Sequence, residues 1–376
     1  MLKVLAACAA GVLCLAGCRG TIAIPLSPSG GPPPANYPAA DLRAHVTLLY
    51  GEHTYVLGKL AVAAANGRKD EYASYATVLA LNGDDLISVI SKSAGEGQAN
   101  QFGDALLVGD GLFVDYMVAA TTQQKDKADT AAQNLNARYV PQMAQALSSA
   151  VNITSSTGTR LVTDEVSTST KFIDDAAAAT PTAFYSDLRN AYAKSTDMGG
   201  VVAEAIALKF PDKYPGDVKG AGARLRAQRD TLLDEHSYLM TMTTDVSVAG
   251  PAADFNAVTG ALSANTDELA HVMGGPFGSD AGSHAKTAWS NQNAAFIAYA
   301  SSAGQASGAR SSLTQSAADL TSFLSGLHAT VDVAEQIKAS VQVIDDQRAK
   351  SYDKVAPEDR YAAMLVAATG DVLMSS

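Results

Sequence analysis

Cysteine is scarce in this sequence, and its positions exclude thiol chemistry from most of the chain. The 376 residues contain three cysteines, and all three, Cys8, Cys14 and Cys18, fall within the first 18 positions. The remaining chain therefore offers no disulfide and no thiolate metal ligand. Aromatic residues are also scarce, at 6% of the chain. An alanine-rich chain with few aromatic residues favours close-packed helices over a β-sheet.

Positive charge is the second shortage. The chain has 27 Lys and Arg against 38 Asp and Glu, for a formal net charge of -11 at pH 7. The basic residues do not gather into a stripe along the sequence. An acidic chain of this kind is not expected to bind nucleic acid or the headgroups of anionic lipids.

The N-terminus predicts an export signal. One basic residue, Lys3, precedes an apolar run from Val4 to Leu15, and Leu-Ala-Gly-Cys then ends at Cys18. The run is too short to span a membrane. The motif resembles the lipobox of bacterial lipoproteins, which implies that residues 1–17 are removed as a signal peptide and that Cys18 is acylated. An ordinary secretory signal that happens to end in cysteine is the alternative.

Acylation of Cys18 would make a membrane the first partner of this chain, at the cell membrane or the outer membrane, on the periplasmic or cell-surface side. Residues 18–40 are rich in Pro and Gly and predict a flexible tether. No later stretch approaches 18 apolar residues without a charge. We therefore expect a soluble body held at a membrane surface.

An internal repeat organises the body. LRAHVTLLYGEHTYVL at 42–57 returns as LRAQRDTLLDEHSYLM at 225–240, an offset of 183 that also relates Asn82 to Asn265 and Asp85 to Glu268. After the third helix-like segment the offset becomes 171, which relates Arg189 to Arg360. The repeat predicts two modules, 41–210 and 218–376, joined by a Pro- and Gly-containing linker at 211–217.

Each module is predicted to be a bundle of about five to six helices, so the fold class is all-α, with a ferritin-like general appearance. Apolar residues recur at steps of three and four along the successive segments, as on the buried face of a packed helix. In the first module the segments are about 42–60, 70–93, 101–121, 125–151, 161–178 and 181–208. Gly274 to Gly278, with Pro276 among them, predicts a flexible turn between helices.

Polar residues interrupt the apolar stripes at repeated places. His53 and Asn82 occupy buried-face positions in the first module, and His236 and Asn265 occupy them in the second. The preferred interpretation is a buried hydrogen bond that fixes helix register.

A metal site in each module is the alternative interpretation. Adjacent residues lie about 100° apart around a helix, so a Glu and the His that follows it cannot both face the same ion. His-Glu-x-x-His is also absent. The two candidate ligand sets are Glu52, His53 and Asp85, and Glu235, His236 and Glu268.

The chain contains Glu-His followed about thirty residues later by Asn-x-x-Asp. This pattern resembles one found in a group of uncharacterised exported bacterial proteins. The resemblance covers the first part of each module and implies a helical bundle without implying an activity. In that group the third helix tends to carry a further His. This chain has Gly111 and Ala294 near that place.

The sequence contains no Gly-x-Ser-x-Gly elbow, no phosphate-binding loop and no dinucleotide fingerprint. We therefore expect a lipid-anchored, exported, non-enzymatic protein of the bacterial cell envelope that presents a surface to a small ligand or an envelope protein. No cofactor is predicted. The alternative is a metal-binding or ferritin-like redox protein that uses the repeated Glu-His and Asn-x-x-Asp/Glu residues.

Overall fold

The computed structural model describes residues 38–302 and 307–373. The predicted lipobox with Cys18 and most of the predicted tether lie outside the described residues. Within these ranges the chain is helical and has no β-strand, which confirms the all-α prediction. None of the described helices is both long enough and apolar enough to cross a membrane.

The helices of the first half follow one another closely along the chain. A five-residue π-helical turn, Leu135–Tyr139, lies between the helix that ends at Asn134 and the helix that begins at Val140. The bounds are α1 Pro38–Ala65, α2 Lys69–Ala94, α3 Glu96–Thr121, α4 Lys125–Asn134, α5 Val140–Val151, α6 Ser155–Ala177 and α7 Pro181–Lys209.

The second half follows a turn-rich segment at 210–220 and has six described helices, one fewer than the first half. Its bounds are α8 Ala221–Ala249, α9 Ala252–Phe277, α10 Ser279–Ser301, α11 Ser307–Gly326, α12 Val333–Ala349 and α13 Tyr352–Val372. We use "first half" for 38–210 and "second half" for 218–373.

The predicted apolar stripe of α1 is buried, but every residue from Leu49 to Ala61 is buried as well, because this helix is surrounded by others. The stripe consists of Leu42, Val46, Leu49, His53, Val56 and Leu60. In each half the first helix packs against the second and the last, α1 against α2 and α7, and α8 against α9 and α13.

The two halves share a core. The central helices α1 and α8 pack against each other, and one cluster of buried apolar residues includes side chains from both halves. The last helix of each half also packs against the second helix of the other, α7 on α9 and α13 on α2. This exchange brings side chains that are distant in the sequence to the same interface.

Equivalent glycines allow the close helix crossings. A Cβ on Gly199 in α7 would lie 2.9 Å from the Cα of Thr47 in α1, and this distance is too short for any side chain to fit there. Gly370 in α13 lies against Asp230 of α8 in the same way. These two pairs correspond at the offsets of 171 and 183, so the same crossing occurs in both halves.

Several boundaries differ from the prediction: α6 begins at Ser155 and not near 161, and the predicted segment 125–151 is divided into two helices by the π-helical turn. The third helix begins at Glu96, because Gly95, with φ 98°, ends the preceding helix directly before it. The expected turn at 274–278 is wrong for most of its length, since α9 continues through Pro276 to Phe277. The helix ends at Gly278, whose φ of 92° is a left-handed conformation that favours glycine.

Candidate functional site

A buried polar layer joins α1 and α2 in the first half. His53 Nδ1 lies 3.2 Å from Asn82 Oδ1, so the predicted pair is in contact. The amide nitrogen of Asn82 donates to Leu49 O at 2.9 Å and to Glu52 Oε2 at 2.7 Å. Asn82 is fully buried, and its amide is satisfied on both sides.

The same layer recurs in the second half. His236 Nδ1 lies 2.8 Å from Asn265 Oδ1, and Asn265 donates to Leu232 O at 3.0 Å and to Glu235 Oε2 at 2.8 Å. These contacts correspond one for one at the offset of 183. The repeated sequence pattern therefore encodes a repeated hydrogen-bond network.

The network fixes the tautomer of each histidine. The asparagine Oδ1 can only accept a hydrogen bond, so the imidazole Nδ1 must carry the hydrogen and donate it. In the neutral ring, Nε2 is then an acceptor that needs a donor. Burial disfavours the charged ring and lowers the pKa of His53 and of His236 to about 4.

An arginine from the opposite half binds both carboxylates of each predicted ligand set. Arg360 of α13 donates to Glu52 at 2.6 and 2.9 Å and to Asp85 at 2.6 Å. Arg189 of α7 makes the reciprocal contacts with Glu235, at 3.1 Å for both oxygens, and with Glu268 at 3.0 Å. Such forked pairs combine charge with fixed geometry.

Two tyrosines complete this interface between the halves. The rings of Tyr55 and Tyr238 stack with their centroids 5.4 Å apart. The Tyr55 hydroxyl donates to Glu235 Oε1 at 3.1 Å, and the Tyr238 hydroxyl donates to Glu52 Oε1 at 3.4 Å. Each buried glutamate is therefore held by an Asn of its own half and by a Tyr and an Arg of the other.

These contacts divide each predicted metal-ligand set between two environments. Glu52 and Asp85 meet around Arg360, whereas His53 turns toward Asn82 and α3. Glu235 and Glu268 meet around Arg189 in the same way, with His236 turned toward Asn265. Among residues 38–302 and 307–373, no three His, Cys, Asp or Glu side chains are placed to hold a metal ion.

The sequence pattern did not predict a cluster of titratable groups that lies near the Nε2 atom of His53. Asp110 Oδ1 of α3 lies 3.4 Å from His53 Nε2, and Glu165 of α6 accepts a hydrogen bond of 2.9 Å from the Tyr139 hydroxyl. Burial raises the pKa of Asp110 well above its usual range and raises the pKa of Glu165 to about 7. Burial therefore disfavours the charged form of both carboxyl groups.

A sequence signal for this cluster did exist. The offset of 183 places Asn293 at the position of Asp110, and the offset of 171 places Gln336 at the position of Glu165. The two acids of the first half are thus amides of similar shape in the second. A comparison of the repeats that looks for acid-to-amide replacements would have selected both positions.

A second polar cluster joins the two halves, and the positions that the repeat relates to it do not form such a cluster. The ammonium of Lys59 lies 2.6 Å from Asp359 Oδ2 and donates to Thr241 at 2.7 Å, and the Tyr75 hydroxyl donates to Asp359 at 2.7 Å. Asp359 is fully buried and Lys59 is 5% exposed. At the equivalent positions the protein has only apolar side chains or glycine, namely Met242, Leu188, Gly58 and Val258.

A cleft of about 370 Å³ adjoins the Arg189 cluster between α7, α8 and α9. Arg189, Glu235 and Glu268 stand in its wall, and the remaining lining residues are mainly small or polar. These are Asn190, Tyr192, Ala193, Thr196, Gln228, Thr231 and Leu232. The cleft therefore places charged groups and neutral hydrogen-bonding groups around one space.

Comparison with known protein families, curated proteins and solved structures found no match to this chain. The geometry of the described residues is therefore the basis for a functional proposal.

Proposed function

We propose that this protein is a lipid-anchored, exported, non-enzymatic component of the bacterial cell envelope that binds a small polar ligand in the cleft between α7, α8 and α9. The observation that carries the ligand site is the cleft itself. Its volume of about 370 Å³ falls within the range of small-molecule sites, roughly 300–1,000 Å³.

The charges around the cleft favour a ligand with an amine group. Arg189 faces two carboxylates, Glu235 and Glu268, which leaves one negative charge in excess. The Glu268 side chain is 53% exposed and can reach a bound molecule. Asn190 and Gln228 add neutral donors and acceptors that suit hydroxyl or amide groups.

Sequence differences between the halves explain why this side suits a ligand. Asn190 and Ala193 line the cleft, and the offset of 171 places Tyr361 and Met364 at the equivalent positions beside Arg360. These side chains are larger than those of Asn190 and Ala193 and would fill more of the cleft if they stood at positions 190 and 193. Exchange of these residues therefore offers a way to close the cleft with side chains that the fold already accommodates.

Membrane anchoring rests on the lipobox-like sequence that ends at Cys18 and on the Pro- and Gly-rich residues that follow it. A tether of about twenty residues would hold the body some tens of ångströms from the bilayer, at roughly 3.1 Å per residue in a polyproline conformation. The cleft would then remain open to solutes at the membrane surface.

Ligand-observed NMR on the purified full-length protein tests the cleft. The compounds are a panel of amino acids, monosaccharides and short diamines, and the amine-bearing compounds are expected to give saturation-transfer signals. The double variant N190Y/A193M should lose these signals, and Y361N/M364A should retain them, with unchanged circular dichroism in both. Absence of binding by every compound, or binding that survives N190Y/A193M, would show that the cleft is not the ligand site.

A further inference from the structure

A small cavity in the second half adjoins the His236 side chain. It sits between α8, α10, α12 and α13, and the space open to the centre of a water molecule is about 20 Å³. Polar and apolar side chains share its wall: His236, Ser237, Met240, Gln292, Phe296, Gln336, Ser340 and Val366.

Two buried acceptors at this place need a hydrogen-bond donor. His236 is 3% exposed, and its Nε2 makes no hydrogen bond of acceptable geometry. The Asn293 side chain lies against the ring. Its Nδ2 donates to Thr266 at 3.1 Å, and its Oδ1 is buried without a donor. Leaving a buried acceptor without a donor costs about 1–3 kcal/mol, so a donor from outside the protein would be favoured.

Size and charge decide which donor fits. A water molecule needs about 10–15 Å³ of space measured in this way, so about 20 Å³ holds one water and no larger organic molecule. The wall offers no carboxylate to balance a cation, because its polar members are imidazole, amide and hydroxyl groups. A buried, unpaired ammonium ion would be strongly disfavoured, which leaves a neutral ligand.

The first half places a carboxyl group where the second half has Asn293, although His53 Nε2 is likewise buried without a hydrogen bond of acceptable geometry. There Asp110 takes the position of Asn293, and its carboxyl group lies 3.4 Å from His53 Nε2. Gly109 is the counterpart of the cavity residue Gln292 at the offset of 183. The ring of Tyr139 lies so close to Gly109 that a Cβ on this glycine would be 2.5 Å from the ring. A neutral carboxylic acid can donate to Nε2, whereas the amide oxygen of Asn293 cannot.

We propose that the cavity beside His236 is a binding site for one water molecule. This water donates one hydrogen to His236 Nε2 and the other to the buried Oδ1 of Asn293, and it accepts a hydrogen bond from the amide or hydroxyl groups of the wall.

Water-selective NOE spectroscopy on the full-length protein tests this site, with the His236 ring signals assigned by comparison with H236Q. Cross-peaks between a long-lived water and the His236 ring protons are expected. They should be absent for the ring protons of Trp289, which is buried in an apolar cluster of the same half. Loss of the His236 cross-peaks is expected in V366I, which adds a methylene group to the cavity wall.

A crystal structure that resolves ordered water gives an independent result. Density within hydrogen-bond distance of both His236 Nε2 and Asn293 Oδ1 supports the proposal. An Asn293 amide in the opposite orientation, with Nδ2 donating directly to His236 Nε2 and no water density, would overturn it. Missing NOE cross-peaks at the His236 ring in the wild-type protein would also overturn it.

Discussion

The buried ion pair between Lys59 and Asp359 provides a sharp test of how the two halves are held together. Both side chains are essentially removed from water, at 5% and 0% exposure, and the atoms of the pair are 2.6 Å apart. Removing one member of such a pair leaves a buried charge without its partner and costs about 3–5 kcal/mol. The single variants K59M and D359N should therefore each lose about that much free energy of unfolding.

The double variant K59M/D359N removes both charges together. The amide introduced by D359N has a single acceptor oxygen, whereas the Tyr75 and Thr241 hydroxyls donate to different oxygens of Asp359. One hydroxyl therefore loses its acceptor, and the remaining cost is about 1–3 kcal/mol. The expected loss is thus smaller than that of either single variant. The apolar side chains at the equivalent positions, Met242 and Leu188, show that this fold accommodates an uncharged pair there.

Urea unfolding followed by circular dichroism measures the four proteins of this double-mutant cycle at pH 7. Favourable coupling of about 3 kcal/mol or more is expected between the two positions. The pair Lys125 and Asp129 is the control, because both side chains are largely exposed and K125M/D129N should show no measurable coupling. Additive losses in the cycle of Lys59 and Asp359 would refute the reasoning.

Three further predictions concern the polar layers and the anchor. The pKa of the Glu165 carboxyl is raised by burial from 4.5 to about 7, so the folded state binds this proton more tightly and stability falls as pH rises through this range. The free energy of unfolding of E165Q should therefore exceed that of wild type by about 3 kcal/mol at pH 8 and differ little from it at pH 4. Q336E should lose stability at pH 8. N82A and N265A should each lose about 3 kcal/mol or more in urea unfolding, because several buried groups lose their partners at about 1–3 kcal/mol each, and N256A on the exposed face of α9 should not. C18S should abolish labelling by radioactive palmitate and release the protein from the membrane fraction; labelling that persists in C18S would contradict the lipobox interpretation.

The periodicity of the sequence was sufficient to predict the helices and the contact between His53 and Asn82. Residues on one helix face are set by steps of three and four, and two faces that pack together bring their polar members into contact. The adjacency of Glu52 and His53 also indicated that the two side chains diverge, as they do. These features are local or involve neighbouring helices.

The partners of the carboxylates could not be predicted from the same pattern. Arg189 and Arg360 were related by the repeat, but each pairs with carboxylates of the other half because α7 packs on α9 and α13 packs on α2. That exchange depends on how the halves dock, and no local propensity encodes it. Tyr139 was missed for a different reason, since a π-helical turn places it and the period of the sequence does not.

The central claim is one ligand site in the cleft beside Arg189, and isothermal titration calorimetry tests it most directly. The titrant is the amine-bearing compound that gives the strongest NMR signal, and the protein is the full-length chain. The account predicts one molecule bound per chain, with binding lost in N190Y/A193M and kept in Y361N/M364A. Two equivalent sites per chain, or undiminished binding by N190Y/A193M, would contradict it.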